Sequence, residues 1–339
     1  MHIELRSDTF TKPTVAMLQA MQVALVGDDV FGEDPTVNEL QQYCATLFGM
    51  EAALFCPSGT MTNQIAIKCH TQPADEVICD YLSHVYQYEG GGIAYNSGCS
   101  VQLLHGNLGR LTAAQVAAAI NNKHDVHKAT TSLVVLENTV NRAGGSCYEL
   151  IDMQQIKEVC ISNNLALHLD GARLFNAIVA TGQQTTDYSN LFDSISICLS
   201  KGLGAPIGSV LLGTQAFIHK ARRVRKLMGG GMRQAGNIAA AGLYALQHNI
   251  PLLVNDHYHA QQLATCLATL PFVGIIQPVY TNIVIFEVVG TYTAAQLAAH
   301  LATHHINSIA ISPTHIRFVL HLGITQAMVQ QVINTLQAL

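Results

Sequence analysis

Charged side chains are scarce: Asp, Glu, Lys and Arg make up 12% of the 339 residues, under half the usual share of about 25%. A surface so poor in charge implies that part of it is hidden, most simply in an oligomer. There is no basic excess either, since the net charge is −5, which gives no reason to expect a nucleic-acid or membrane-surface partner. The nine cysteines include no C-x-x-C pair, so they read as reduced, mostly buried thiols of a cytosolic protein. No apolar run approaches the roughly 18 residues of a membrane span, and the charged start Met1–Asp8 leaves no room for a signal peptide. A soluble, cytoplasmic protein is expected. No Cys/His set has metal-site spacing, and with 16 histidines a lone His, or the pair His304-His305, means little. The runs Gly90–Gly92 and Gly229–Gly231 lack the G-x-G-x-x-G order that a nicotinamide-binding turn needs.

What is present is alternation. Ala53–Cys56, Val77–Cys79, Val101–Leu104, Leu133–Leu136, Ala166–Leu169, Ser194–Cys198 and Gly208–Leu212 are short apolar runs. Several are apolar throughout, as strands covered on both faces must be. Between them, Thr112–Asn121 and Asp152–Asn163 have helical periodicity, each opening on a residue able to cap a first turn. Strand and helix in alternation imply an α/β fold with a mostly parallel seven-stranded sheet flanked by helices. After Gln234 the pattern changes to two long helical stretches around Pro251, then Val273–Ile276, Asn282–Val288 and Ile316–Leu320. We expect a large domain over residues 1–250, including the amino-terminal segment, and a small α+β domain over 251–339.

In open α/β sheets the ligand site gathers at the carboxyl ends of the strands, and three motifs fall there. Pro57-Ser58-Gly59-Thr60 follows a strand and opens a helix, where free backbone N–H groups attract a phosphate. An ordinary helix cap explains the same residues. Asp170 ends an apolar strand in His168-Leu169-Asp170-Gly171-Ala172-Arg173, and its carboxylate suits a protonated ring nitrogen, or equally a helix cap. Lys201, in the Gly-rich turn Ser200–Pro206, has no adjacent acid and apolar strands on both sides. Such an amine, once desolvated, forms a Schiff base, whereas most turn lysines are simply solvated. Together the three describe a site for pyridoxal 5′-phosphate (PLP), a set far more specific than any member.

Leu5–Thr9, Gly27–Pro35, Pro57–Thr60, His168–Arg173, Ser200–Gly204 and Gly229–Gly236 resemble the low-specificity L-threonine and L-allo-threonine aldolases over nearly the whole chain. The resemblance implies an aspartate-aminotransferase-like fold (PLP fold type I) and a homotetramer with active sites at a subunit interface. It also implies roles. Lys201 would hold the cofactor and Asp170 its ring nitrogen, with Ser58, Gly59 and Thr60 on the phosphate. His84 would stack on the ring and take the substrate hydroxyl proton, directly or through a water. Ser7, Arg173 and Arg317 would hold the substrate carboxylate. Lys226 and Arg233 would reach a neighbour's phosphate, most of the cluster Lys220–Lys226 being solvated, and His127 would be catalytic or lie near the substrate, a surface loop histidine being the other reading. One departure is Val140, in Asn138-Thr139-Val140-Asn141, where relatives commonly carry His. If that position touches the substrate hydroxyl, Val140 shifts preference or slows a step; if it only packs, nothing changes. Retro-aldol cleavage of β-hydroxy-α-amino acids is the reading that follows. Another PLP-dependent reaction (β-elimination, racemisation or transamination) and a non-catalytic scaffold are the alternatives.

Overall fold

A computed structural model describes residues 2–339. Its strands are β1 (Ile3–Glu4), β2 (Ala52–Cys56), β3 (Asp75–Asp80), β4 (Ser100–Leu104), β5 (Thr130–Glu137), β6 (Ala166–Gly171), β7 (Ser194–Cys198), β8 (Ser209–Gly213), β9 (Val273–Ile276), β10 (Ile283–Val288), β11 (Ile306–Asn307), β12 (Ile309–Ala310) and β13 (His315–Val319). The seven runs expected as strands are β2 to β8, and they form one sheet in the order β2-β8-β7-β6-β5-β3-β4. The pairs among β3, β4, β5, β6 and β7 are parallel, while β8 runs antiparallel to both β7 and β2. β2 is thus parallel to β7, so Cys56, Asp170 and Cys198 all end at one edge of the sheet. Order reversals across the middle of such a sheet open the crevice in which ligands bind.

The central strands are apolar because both faces are covered. Val134, Leu136, Leu167 and Leu169 face one helical layer and are fully or almost fully buried; truncating such a leucine to alanine typically costs about 2–5 kcal/mol. The helix expected from Thr112 runs over Ala113–Ala119, with Thr112 and Gln115 forming a reciprocal capping box. The next helix, Leu150–Asn163, starts before the expected Asp152, which lies inside its first turn, where an acid favours the helix dipole.

A second apolar core lies under β9, β10, β12 and β13 and the helices Leu253–Leu267, Ala294–Thr303 and Gln326–Gln337. Ile3 and Leu5 belong to this core, and β1 pairs in parallel with β11. The amino-terminal strand was expected to pack with the large domain. It packs with the small one because two residues cannot bury themselves and the open edge at Ile306 offers backbone partners. Among the described residues no helix is long and apolar enough to cross a membrane.

Candidate active site

Asp170 is the last polar residue of β6 and is 1% exposed. Its Oδ1 accepts the Ala172 N–H at 3.1 Å, as a capping aspartate would, and its Oδ2 accepts from Asn63 Nδ2 at 3.0 Å. The two sequence readings of Asp170 are therefore compatible: one oxygen caps the turn and the carboxylate still faces the site. Asn63 comes from the helix Gly59–His70, which packs across β6 and β7.

That helix also supplies the anion cradle. Ser58 is its N-cap, and the Ser58 hydroxyl accepts from Met61 N–H at 3.2 Å. Thr62 N–H is bonded to Ser58 O, which leaves the first-turn N–H groups of Gly59 and Thr60 without an intrahelical partner. Only glycine fits at 59: a Cβ there would come within 2.6 Å of Cys198 Sγ. Ser58 and Thr60 are exposed and line a cavity of about 580 Å³ with Tyr95, Leu227 and Met228.

His84 opens the short helix His84–Gln87. Its Nδ1 lies 2.9 Å from Glu89 Oε1, and its backbone N–H donates to Glu137 Oε2 at 2.7 Å. Burial disfavours the imidazolium, but the bond to Glu89 and the charge of Asp170 outweigh it and lift His84 above its usual range. Glu89 is buried and also accepts from Asn63 and Gln64. Glu137 ends β5 beside Asp170; burial first, and the Asp170 charge second, push its carboxyl up to about 7. His84, Glu89 and Asp170 bring one ligand atom each within 4.8 Å of one another. Most of those oxygens already accept hydrogen bonds from side-chain amides or the backbone, so the trio reads as part of an organic ligand's pocket. The Lys201 side chain is half-buried, and its charge is felt at both Asp8 and His84.

The two arginines expected at the substrate differ. Arg173 is buried and holds Asp8 with Nε and Nη2, both at 2.7 Å. Burial alone would raise the Asp8 carboxyl, but the Arg173 charge brings it down to about 2. Arg317 has no carboxylate partner. Its Nη1 donates to Asn141 Oδ1 at 2.8 Å, its Nη2 to Arg6 O at 3.1 Å, and its Nε is buried without a partner. Burial, then the Arg173 charge, lowers it to about 10. A half-buried cation with a buried spare donor wants an anion. Ser7, one residue before Asp8, uses its hydroxyl to cap Thr9.

Three expected residues lie elsewhere. His127 sits on an exposed loop with its ring on Asp125 at 3.0 Å. It precedes β5, whereas the site gathers beyond Glu137 at the other end of that strand, roughly 23 Å away at about 3.3 Å per residue. Within one chain His127 is not brought to the cluster. Arg233 binds Asp28 at 2.8 Å, and Lys226 is exposed near the end of the helix Gln215–Leu227. As expected, most of the basic cluster is solvated, Lys220, Arg223 and Lys226 being exposed. The exception is Arg225, buried against Asp29 at 2.6 Å, while Lys220 and Arg222 also donate to the backbone oxygens of Cys69 and Asp29. The segment Gly27–Pro35 supplies Asp29, the acid that holds Arg225, and Asp28, which holds Arg233. Val140 is buried, and a Cβ on Gly109 would come within 2.5 Å of its Cγ1, so this position packs against a turn.

Sequence reasoning missed Asn63, Glu89, Glu137 and Asp8 as site residues. Glu137 carried the same signal as Asp170, an acid closing an apolar strand. Asp8 stood inside a family-like motif. Asn63 and Glu89 carried no local signal, because a helix and a loop bring them in.

The sequence pattern of the beta-eliminating lyase family matches residues 4–291. The chain belongs to that family. Among its members, the chain is 42% identical over 331 residues to the low specificity L-threonine aldolase of Escherichia coli K12, spanning 97% of each. It is 40% identical over 341 residues to low-specificity L-threonine aldolase 1 of Arabidopsis thaliana, 99% of this chain and 95% of that one. Among solved structures, Leishmania major threonine aldolase superposes with a TM-score of 0.86 at 20% identity over 99% of both chains. A serine palmitoyltransferase from S. paucimobilis with bound PLP gives 0.76 at 17% identity over 99% and 87%. At those identities the structural likeness speaks for the fold, which is that of the type I PLP enzymes.

Proposed function

We propose that this family member is a PLP-dependent aldolase that cleaves L-threonine and L-allo-threonine to glycine and acetaldehyde. One observation carries the reading: a buried Asp170 carboxylate, the free N–H groups of Gly59 and Thr60, and Lys201, in no salt bridge among the described residues, meet at one sheet edge. Those are the complements of a ring nitrogen, a phosphate and an aldehyde carbon. Bound there, PLP supplies the electron sink that takes the electron pair of a breaking Cα–Cβ bond.

The chain's own residues do the rest. Lys201 is the amine that would hold the cofactor. Arg317 takes the substrate carboxylate, since its Nε is free and buried, with Ser7 beside it and Arg173 shaping the pocket from its pair with Asp8. Holding the carboxylate would fix how the substrate's Cα substituents are oriented in the pocket. His84 keeps Nδ1 on Glu89, so Nε2 is the atom left to take the β-hydroxyl proton, directly or through a water, and its raised basicity favours that transfer. The C–C bond then breaks to release the aldehyde, and protonation at Cα yields glycine.

In this reading the protein is a cytoplasmic homotetramer, in which Lys226 and Arg233 serve a neighbour's site. Support comes from the large apolar side chains left exposed on a single chain, among them Val15, Leu25, Phe31, Tyr95 and Leu227, of which Tyr95 and Leu227 line the cavity beside Ser58 and Thr60. The large and small domains divide near residue 250. The test is product analysis: purified protein supplied separately with L-threonine, L-allo-threonine and D-threonine, with acetaldehyde, ammonia and keto acid followed. Acetaldehyde from the L-substrates is expected, and Lys201→Ala abolishes it. Near-normal acetaldehyde release by that variant sinks the assignment.

A further inference from the structure

Beneath the helix Gly59–His70, five side chains form a line of hydrogen bonds across the sheet. His168 and Asp170, two apart on β6, point to the same face, and Ser194 is the register partner of His168 on β7. Asn63 and His70, seven residues apart on the helix, face them about 10 Å apart along its axis. The contacts are His70 Nε2 to Ser194 Oγ at 2.8 Å, Ser194 Oγ to His168 Nδ1 at 2.8 Å, His168 Nε2 to Asn63 Oδ1 at 3.2 Å, and Asn63 Nδ2 to Asp170 Oδ2 at 3.0 Å. Of these residues, only Asp170 had a role assigned to it.

The two acids at one end dictate every proton in the line. Asn63 Nδ2 lies on both Glu89 and Asp170; carboxylates only accept, so the amide must turn its nitrogen to them. Its oxygen therefore faces His168 Nε2, which must carry a proton. His168 is fully buried, and burial drives it down to about 3, so the ring is neutral; with its one proton held on Nε2 by the Asn63 oxygen, Nδ1 is bare, although the Ser194 carbonyl also lies 3.1 Å from it. Ser194 must then donate to Nδ1 and accept from His70. His70, at the far end, lines a cavity of about 750 Å³ at the amino edge of the sheet and stacks on Phe217 at 4.6 Å between ring centres.

We infer that His70, Ser194, His168 and Asn63 are positioning residues for the cofactor, a chain in which every donor points toward Asp170. Hydrogen bonds aligned in one sense polarise one another. The chain thereby holds the Asp170 carboxylate fixed where a protonated ring nitrogen binds. The reasoning rests on the PLP reading for its function, but not for its protons.

Two measurements on the full-length protein test it. Nitrogen NMR of histidine-labelled protein, without and with PLP, reads the ring protonation of His168 and His70, with assignment by their substitution. Both are expected as neutral rings protonated at Nε2; a wild-type His168 protonated at Nδ1 overturns the chain whether or not PLP binds. PLP titration of the apo protein reads its consequence. Ser194→Ala leaves only the Ser194 carbonyl, 3.1 Å away, to face His168 Nδ1, and is expected to weaken PLP binding about fivefold, the worth of one ordinary hydrogen bond. Ser196→Ala removes an equally buried hydroxyl on the same strand that bonds Thr62 at 2.6 Å, outside the chain, and is expected to stay within about twofold. Equal losses in both variants mean a merely structural role and refute the inference. Failure of wild type to bind PLP would instead count against the proposed function, leaving the NMR result to decide the chain.

Discussion

The same pair of groups, a histidine ring on a carboxylate, occurs at both edges of the central sheet. At the carboxyl edge His84 Nδ1 meets Glu89 at 2.9 Å, with the Glu89 side chain fully buried; at the amino edge His127 Nδ1 meets Asp125 at 3.0 Å, with the ring 90% exposed. The lengths are almost equal and the consequences are not. Buried, the acid cannot be screened by water, so it shifts the ring and fixes which nitrogen is presented. Exposed, an ion pair contributes little. Distance alone does not make a functional pair; the dielectric around it does.

The sharpest way to break this comparison is to remove each ring. His84→Ala is expected to lower kcat/KM for L-allo-threonine by about 10²–10⁴-fold, the range for loss of a proton-transfer group. His127→Ala is expected to stay within about threefold if each site is built from one chain. A loss above tenfold would show that a second copy of the chain brings His127 to the site, and the two edges would then meet across an interface.

Next in size is the other buried pair. Asp8→Ala leaves Arg173 charged and buried without its partner, and breaking such a pair costs about 3–5 kcal/mol. Urea unfolding at neutral pH should show it as a lower midpoint with an unchanged slope. A loss under about 1 kcal/mol would mean that water or Arg173's other neighbours replace the acid.

These contrasts also mark how far the sequence could be read. The strands β2 to β8 were legible because central strands are apolar throughout, and Lys201, Asp170 and Ser58 because strand ends and helix starts carry visible signals. Ile3 and Leu5 were not legible as members of the small core, since two apolar residues have no period and their partner lies some 300 residues away. Asn63 looked like any polar helix residue, and Arg225 like any member of a basic run; what distinguishes both is the acid opposite, which only folding supplies. His127 failed for the converse reason. A likeness of motif carries a residue's name but not the edge of the sheet on which one chain places it.

Glu137 gives a smaller, pH-resolved effect. Its carboxyl is raised to about 7 from an ordinary 4.5, so between those values the folded state holds a proton that the unfolded chain has released. Stability from this group therefore falls as pH rises from about 4.5 to 7 and is flat outside that window. His84, also raised, acts in the same direction, which is why the comparison must be with a variant. Unfolding free energies across pH 4–8 should fall less steeply in Glu137→Gln than in wild type. Parallel curves would show that Glu137 is ionised throughout.

The smallest effect belongs to the exposed pair. Asp125→Ala removes the partner of His127 and frees its backbone N–H, which also donates to Asp125 at 3.0 Å. Both groups pass to water, so almost no change in stability is expected, and what there is fades further in about 0.5 M salt as the Debye length shrinks. A thermal melt of the two proteins side by side measures it. A shift of several degrees would mean that the 125–127 loop is covered by another copy of the chain, because only exclusion of water could give this pair the strength its counterpart has at the other edge.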